Sequence, residues 1–200
     1  MLQVASSSRP ISHSRIARRI RSGDSARPVA DIRIRFYLAA MLIRKAEAGD
    51  AQAIAAIILP RIREGATYAL EPDVREADAL AYWMAPDKET FVAEDQGIIV
   101  GTYYMRPNQS GGGRHVCNCG YMTDAAATGR GVARRMCEHS LGHARLRGYR
   151  AMQFNFVVST NERAIRLWQS LGFEIVGRLP AAFLHPAHGY VDAIVMYQML

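Results

Sequence analysis

The sequence has few cysteines and no long hydrophobic run, and both absences exclude classes of protein. No stretch approaches the roughly 18 apolar residues that a membrane-spanning helix needs, so we expect a soluble protein. The 3 cysteines form no Cys-x-x-Cys pair and have no histidine at metal-ligand spacing. Two of them, Cys117 and Cys119, lie two residues apart in a strand-like run, where they would share one buried face. We therefore expect no metal or redox role and a reducing, cytoplasmic setting.

Acidic residues are scarce at the start of the chain. Residues 1–40 contain 8 of the 25 basic and 2 of the 18 acidic side chains, so +6 of the net charge of +7 falls there. This Ser-, Arg- and Pro-rich segment has the composition of a disordered extension. It also resembles a transit peptide, and a third interpretation is an over-long gene start with translation beginning at Met41. Residues 41–200 lack the charge excess that attracts a polyanion, so we do not expect them to bind nucleic acid.

From residue 41 onward the hydrophobic pattern predicts one domain in which strands and helices alternate. A helix should follow Asp50 and bend or end at Pro60, and Asp73 and Glu76 have the spacing of a capping box for a second helix. The apolar side of that helix would carry Val74, Ala77, Leu80, Ala81 and Met84. Strands are predicted at residues 42–46, 89–94, 98–105, 115–122, 151–157, 174–178 and 191–199. A mixed sheet flanked by helices is the natural assembly.

A glycine-rich turn opens a helical pattern directly after one of these strands. Backbone N–H groups and the positive end of the helix dipole would meet there, as they do in phosphate sites. The two glycines permit backbone conformations that bring the chain close to a pyrophosphate. The turn consists of Thr128, Gly129, Arg130, Gly131, Val132 and Ala133.

The sequence around this turn resembles the GNAT acetyltransferase superfamily. The superfamily signature is a strand, an (Arg/Gln)-x-x-Gly-x-(Gly/Ala) turn, a helix, a strand and an Asn-x-x-Ala…Leu-Gly-Phe helix, and residues 161–173 match the last of these. The resemblance covers about residues 41–200. It implies an α/β fold with a mixed, largely antiparallel sheet of six to seven strands and about four helices.

The resemblance also implies acetyl-CoA as cosubstrate, with its pyrophosphate on the turn and its pantetheine arm along the helix that begins near Asn161. Thr128 stands where the superfamily usually has Arg or Gln, so main-chain N–H groups would provide the phosphate contact. Arg130 and Arg135 flank the turn and are expected to pair with CoA phosphates. Tyr68, in the loop between the first two helices, would form a wall of the acceptor site.

Three asparagines occur where a polar side chain needs a partner. Asn118 lies between two cysteines, and Asn155 lies in an apolar strand. A buried amide without partners costs about 1–3 kcal/mol, so each should bond to neighbours, water or a ligand. Asn161 belongs to a Ser-Thr-Asn-Glu segment typical of a helix N-terminus, and a cap residue could contact the cofactor as well.

The surroundings of these asparagines resemble the subgroup that contains azetidine-2-carboxylate N-acetyltransferase. That resemblance implies acetylation of the ring nitrogen of small imino acids. Asn118 and Asn155 would hold the acceptor and take part in catalysis, and Asn161 would contact the cofactor.

The superfamily mechanism is direct attack of a neutral amine on the thioester, which depends mainly on alignment. Trp168 occupies the place where many members have a tyrosine acid. Tyr190 or Tyr121 could replace it, and an ordered water chain would carry the amine proton.

The expected activity is N-acetylation of a small amine, with an imino or amino acid favoured. Peptide, antibiotic or herbicide-type acceptors and a non-catalytic CoA-binding regulatory domain are the alternatives, and a homodimer is compatible with the sequence.

Overall fold

The computed structural model describes residues 41–200, and the expectations for residues 1–40 lie outside the described residues. Within this range the strands are β1 Leu42–Lys45, β2 Glu89–Asp95, β3 Ile98–Pro107, β4 Val116–Thr123, β5 Ala151–Val158, β6 Glu174–His185 and β7 Gly189–Met199. The α-helices are α1 Ala51–Arg63, α2 Glu76–Trp83, α3 Val132–Leu146 and α4 Glu162–Ser170. Short 3-10 turns lie at Ala48–Asp50, Gly111–Gly113 and Ala125–Ala127.

The seven strands form one sheet in the order β1-β2-β3-β4-β5-β7-β6. Every neighbouring pair is antiparallel except β4 and β5, which run parallel. The expected fold class, a mixed and largely antiparallel sheet with about four helices, is confirmed. The single parallel pair arises because α3 connects β4 to β5 as a crossover between parallel strands, a connection that a tight turn cannot make.

The helices cover both faces of the sheet and bury two hydrophobic cores. Helices α3 and α4 pack on the face that carries Cys117 and Cys119, and α1 and α2 pack on the opposite face against Val92 and Met122. Both cysteines are buried, as predicted, and burial raises the pKa of the Cys119 thiol. None of the helices within residues 41–200 is long and apolar enough to cross a membrane.

Helix α1 follows Asp50 as predicted, and it runs past Pro60. The Asp50 side chain does not cap it, because its carboxylate accepts hydrogen bonds from the Arg44 guanidinium (2.7 and 2.9 Å) and from the Glu47 N–H (2.8 Å). Pro60 does not end the helix either. Its carbonyl still accepts from the Glu64 N–H at 3.0 Å, and the helix continues to Arg63.

Helix α2 begins one residue beyond Arg75 with no side-chain cap, so the predicted capping box at Asp73 and Glu76 is wrong. Its buried residues, Ala79 and Trp83, lie outside the predicted apolar side, although Val74, Leu80 and Met84 of that side pack partly buried against the same core. The cause is the large indole of Trp83, which packs edge-on against Tyr104 and donates to the Thr102 hydroxyl at 3.0 Å.

Strand β6 is much longer than predicted. Pro180 lacks an N–H, which ordinarily ends a strand, but the ladder with β7 resumes at Phe183 after an irregularity. Ala181 adopts a φ of 48° there, and its N–H donates to the Asp192 carboxylate at 2.9 Å. A bulge thus accommodates the proline without ending the strand.

Candidate functional site

The two parallel strands separate soon after they meet. Backbone pairing between β4 and β5 is confined to Val116 with Ala151 and Cys117 with Met152. Beyond these pairs the strands diverge, and a cavity of about 690 Å³ opens at the fork. Tyr68 from the α1 side and Trp168 from the α4 side both line it. A continuous sheet would separate these two side chains, so the fork joins the two faces of the protein into one site.

The glycine-rich turn forms one wall of this cavity. Its lining residues are Thr128, Gly129, Gly131, Val132 and Ala133, as the sequence predicted. Gly129 and Gly131 have φ values of 87° and 78°, in the left-handed region that glycine tolerates. Arg135 N–H donates to the Gly131 carbonyl at 3.1 Å as the first bond of α3. The N–H groups of residues 131–134 therefore have no intrahelical acceptor, and a Cβ built on Gly131 would meet nothing within 4 Å.

Two of the arginines around the turn line the cavity and two do not. Arg130 extends away from the cavity and pairs with Asp95 in the β2–β3 hairpin. Neither Arg130 nor Arg135 lines the cavity, whereas Arg134 and Arg163 do. The pairing of Arg130 and Arg135 with CoA phosphates stays a prediction. Arg135 is rotated by about 100° around the helix from Arg134, and the Arg135 side chain is not part of the cavity lining.

Asn161 caps α4 and also lines the cavity. Its Oδ1 accepts from the Ala164 N–H at 3.2 Å. The interpretation as a helix cap is correct, and the cap sits where a ligand in the fork would pass.

Asn118 and Asn155 both line the cavity, one on each strand of the fork. They do not bond to each other. Asn118 is buried, and its Nδ2 donates to the Gln153 carbonyl at 2.9 Å. This fixes the orientation of the amide, because only the NH₂ group can donate to a carbonyl. Among the described residues no donor reaches its Oδ1.

Asn155 is held by two other amides. Its Nδ2 donates to Asn108 Oδ1 at 2.6 Å, and its Oδ1 accepts from Gln153 Nε2 at 2.8 Å. The pairing of β5 with β7 is irregular between Phe154 and Val157, so Asn155 lies in a bulge. A second N–H on Nδ2 is left for a further acceptor.

Tyr68 closes the cavity on the α1 side. Its hydroxyl donates to the Tyr121 carbonyl at 2.9 Å, and burial raises the pKa of Tyr68 above its usual range. It therefore stays neutral and acts as a fixed wall, in the place that the sequence predicted.

Tyr121 is unsuited to replace the missing tyrosine acid. The Ser140 hydroxyl donates to the Cys137 carbonyl at 2.7 Å, so the Tyr121 hydroxyl must donate to Ser140 Oγ at 2.6 Å. Burial raises the pKa of Tyr121 well above its usual range. Tyr190 is 73% exposed and is not part of the lining. Neither tyrosine therefore supplies a proton to the cavity.

Several charged residues of the cavity were not identified from the sequence. Arg61, Glu64, Arg106 and Arg163 line it in addition to Arg134. Glu64 is the one carboxylate among the described lining residues, and Arg61 donates to both of its oxygens at 3.0 and 3.1 Å. No cluster of His, Cys, Asp and Glu within residues 41–200 could hold a metal ion.

Comparison with known proteins agrees with this geometry. The sequence profile of the Acetyltransferase (GNAT) family matches residues 57–173. The chain belongs to this family. The superfamily resemblance is confirmed.

The matches to individual relatives cover different shares of the two proteins compared. N-acetyltransferase aca1 of Schizosaccharomyces pombe is 33% identical over 112 residues, which are 56% of this chain and 54% of that protein. The chain thus matches about half the length of this curated relative. A GCN5-related N-acetyltransferase from Kribbella flavida is 43% identical with a TM-score of 0.77, covering 80% of this chain and 98% of that one. A putative acetyltransferase from Salmonella typhimurium, solved with its cofactor acetyl-CoA, is 25% identical with a TM-score of 0.72. The match covers 81% of this chain and 95% of that one.

Proposed function

We propose that this protein transfers an acetyl group from acetyl-CoA to the amine of a small amino or imino acid. The observation that carries the proposal is the forked cavity. A phosphate-binding turn lies at one end of it, and the amides of Asn118 and Asn155 lie on its two strands.

The turn end suits the cofactor. N–H groups at the start of α3 and the positive end of its dipole favour a pyrophosphate. Arg163 adds positive charge, since its Nη2 lies 3.9 Å from the position of a Cβ on Gly129. The pantetheine arm would pass Asn161 at the start of α4, and the Salmonella relative was solved with acetyl-CoA as its cofactor.

The fork end suits the acceptor. The Oδ1 of Asn118 accepts the N–H of the acceptor amine, and the remaining N–H of Asn155 donates to an oxygen of the acceptor. A neutral secondary amine has one N–H, so a hydrogen bond to Asn118 directs its lone pair toward the thioester. Such alignment is the main source of rate in this kind of reaction.

The acetyl-transfer reaction is balanced without a proton-donating side chain. The amine nitrogen bonds to the acetyl carbon, the C–S bond breaks, and the sulfur takes the electron pair. The amine loses one proton and the thiolate gains one. Glu64, the one carboxylate in the described lining, is engaged by Arg61, so water carries both protons. A thiol with a pKa of about 8.5 is readily reprotonated at neutral pH.

The test is a thiol-release assay with acetyl-CoA and a panel of amines. The panel contains azetidine-2-carboxylate, proline, a primary amino acid, a polyamine and a short peptide. Release that depends on an amino or imino acid supports the proposal. Turnover of the polyamine or peptide alone contradicts the acceptor class, and acetyl-CoA binding without acceptor-dependent release indicates the regulatory alternative.

The proposal assigns catalysis to residues 41–200. A chain that begins at Met41 should keep the kcat/KM of the full chain. A large loss of activity in that shorter chain would show that residues 1–40 contribute to the site.

A further inference from the structure

We infer that Arg106 binds the carboxylate of the acceptor and selects acceptors that carry one beside the reacting amine. The inference rests on the proposed function and specifies the group that distinguishes substrates within it. Both residue 106 and the amide of Asn118 line the cavity.

The position of Arg106 in the sheet favours this role. Arg106 on β3 is the register partner of Asn118 on β4. Side chains of directly opposed residues in an antiparallel pair lie on the same face as neighbours. One ligand with an amine and a carboxylate on adjacent atoms can therefore contact both.

The guanidinium of Arg106 has unused hydrogen-bonding capacity. Its Nε is buried and has no hydrogen-bond partner among the described residues. Its one ion pair, from Nη1 to the Asp87 carboxylate, is long at 3.4 Å, and the Asp87 side chain is 58% exposed. A buried donor without a partner is unfavourable, and a carboxylate matches the fork of N–H groups on arginine.

Arg61, the other arginine on the α1 side of the cavity, is already neutralised. It makes two hydrogen bonds to Glu64 at 3.0 and 3.1 Å. Arg134 and Arg163 belong to the turn end, where Arg134 donates to Ser170 Oγ at 2.7 Å. The arginine near Asn118 with the weakest pairing is therefore Arg106, whose one ion pair is the long contact with Asp87.

A second cation lies close to Arg106. Lys88 Nζ lies 3.3 Å from the centre of the Tyr82 ring and donates to the Tyr82 carbonyl. The pKa of Lys88 is lowered to about 8, by burial and by the positive charge of Arg106. An anion bound at Arg106 would offset the repulsion between Arg106 and Lys88.

The test compares acceptors that differ only in the carboxylate. Proline, prolinamide and pyrrolidine are assayed for kcat/KM with the wild type and with Arg106→Met, Arg106→Gln and Arg106→Lys. The wild type should prefer proline to prolinamide by about 10- to 100-fold, as expected for a hydrogen-bonded charge pair. Arg106→Met and Arg106→Gln should remove this preference, and Arg106→Lys should keep part of it.

Two readouts separate this role from a structural one. The KM for acetyl-CoA and the activity on pyrrolidine should stay within about threefold of the wild type in every folded Arg106 variant. Arg166→Met is the matched control, and it should keep the preference for proline because Arg166 pairs with Glu162 on the exposed side of α4, outside the cavity lining. If Arg106→Met does not fold, Arg106→Gln preserves most of the side-chain volume and carries the same test.

The outcomes distinguish the inference from the proposed function. Turnover of proline with the same preference in Arg106→Met or Arg106→Gln overturns the role of Arg106 and leaves the proposed function standing. Equal turnover of proline and prolinamide by the wild type also overturns the role of Arg106 and leaves the proposed function standing. If the wild type acetylates no amino or imino acid, both fail.

Discussion

Asn118 donates from Nδ2 to the Gln153 carbonyl at 2.9 Å, immediately beyond the last backbone pair of the β4–β5 fork, Cys117 with Met152. The side chain thus continues the link between the strands where the backbone ladder ends. It also fixes the amide with Oδ1 as the atom available for a ligand.

We predict that Asn118→Ala lowers kcat/KM for the acceptor by about 100-fold. The substitution removes both the contact with the acceptor and the hydrogen bond that links β4 to the Gln153 carbonyl on β5. Asn118→Asp should lower it at least as much, since a carboxylate cannot donate to the Gln153 carbonyl. Steady-state kinetics at varied acceptor concentration measure the effect. The KM for acetyl-CoA serves as the control and should change by less than about threefold. Full activity in Asn118→Asp would contradict the orientation of the amide.

The turn gives a second prediction. Gly131→Val should raise the KM for acetyl-CoA at least about tenfold, because it strains a φ of 78° and places methyl groups in the open space over the turn. Gly148→Val is the matched control. Gly148 has a φ of 81° just beyond the other end of α3 and nothing within 4 Å, so the variant reproduces the backbone strain away from the cavity.

Thr128→Ala should change the KM for acetyl-CoA by less than about twofold, since main-chain groups make the phosphate contact. A larger effect of Thr128→Ala than of Gly131→Val would refute the backbone account of the turn. An equal rise in KM in Gly131→Val and Gly148→Val would assign the effect to strain alone.

The third prediction concerns stability and pH. The hydrogen-bonded guanidinium of Arg44 lowers the pKa of the Asp50 carboxyl below its usual 3.8, against the opposing effect of burial. A carboxyl with a lowered pKa in the folded state stabilises it above the unfolded-state pKa, and this contribution is lost as the pH falls through the folded-state value. Asp50→Asn should therefore reduce the free energy of unfolding by about 1–3 kcal/mol at pH 7.

Urea unfolding of the wild type and Asp50→Asn across pH 2 to 7 measures this difference, which should shrink below about pH 4. Asp78→Asn is the control. Asp78 pairs with Arg75 at 2.6 Å on an exposed helix, where solvent screens the ion pair, so this variant should change the stability little at any pH. A constant difference for Asp50→Asn over the whole pH range would contradict the assignment.

Local patterns predicted the parts of the site that depend on neighbours in sequence. The burial of Cys117 and Cys119, the glycine turn and the cap at Asn161 all follow from spacing over a few residues. These signals were sufficient because strand alternation and helix capping are set by local backbone geometry.

The features that local patterns did not predict depend on distant residues. Arg130 turns away from the cavity because Asp95, 35 residues earlier, accepts from it. The Asp50 carboxylate does not cap α1 because it bonds to Arg44 on β1. Arg106 reaches the cavity only because β3 pairs with β4 in a register that sets it opposite Asn118. Such partners are fixed by tertiary packing, which overrides local preference.

The most direct measurement of the central claim is thiol release from acetyl-CoA by the wild type, followed by mass spectrometry of the acceptor. We predict release that requires an amino or imino acid and yields its N-acetyl derivative. Acetyl-CoA binding with no acetylated product from any amino or imino acid would contradict the account.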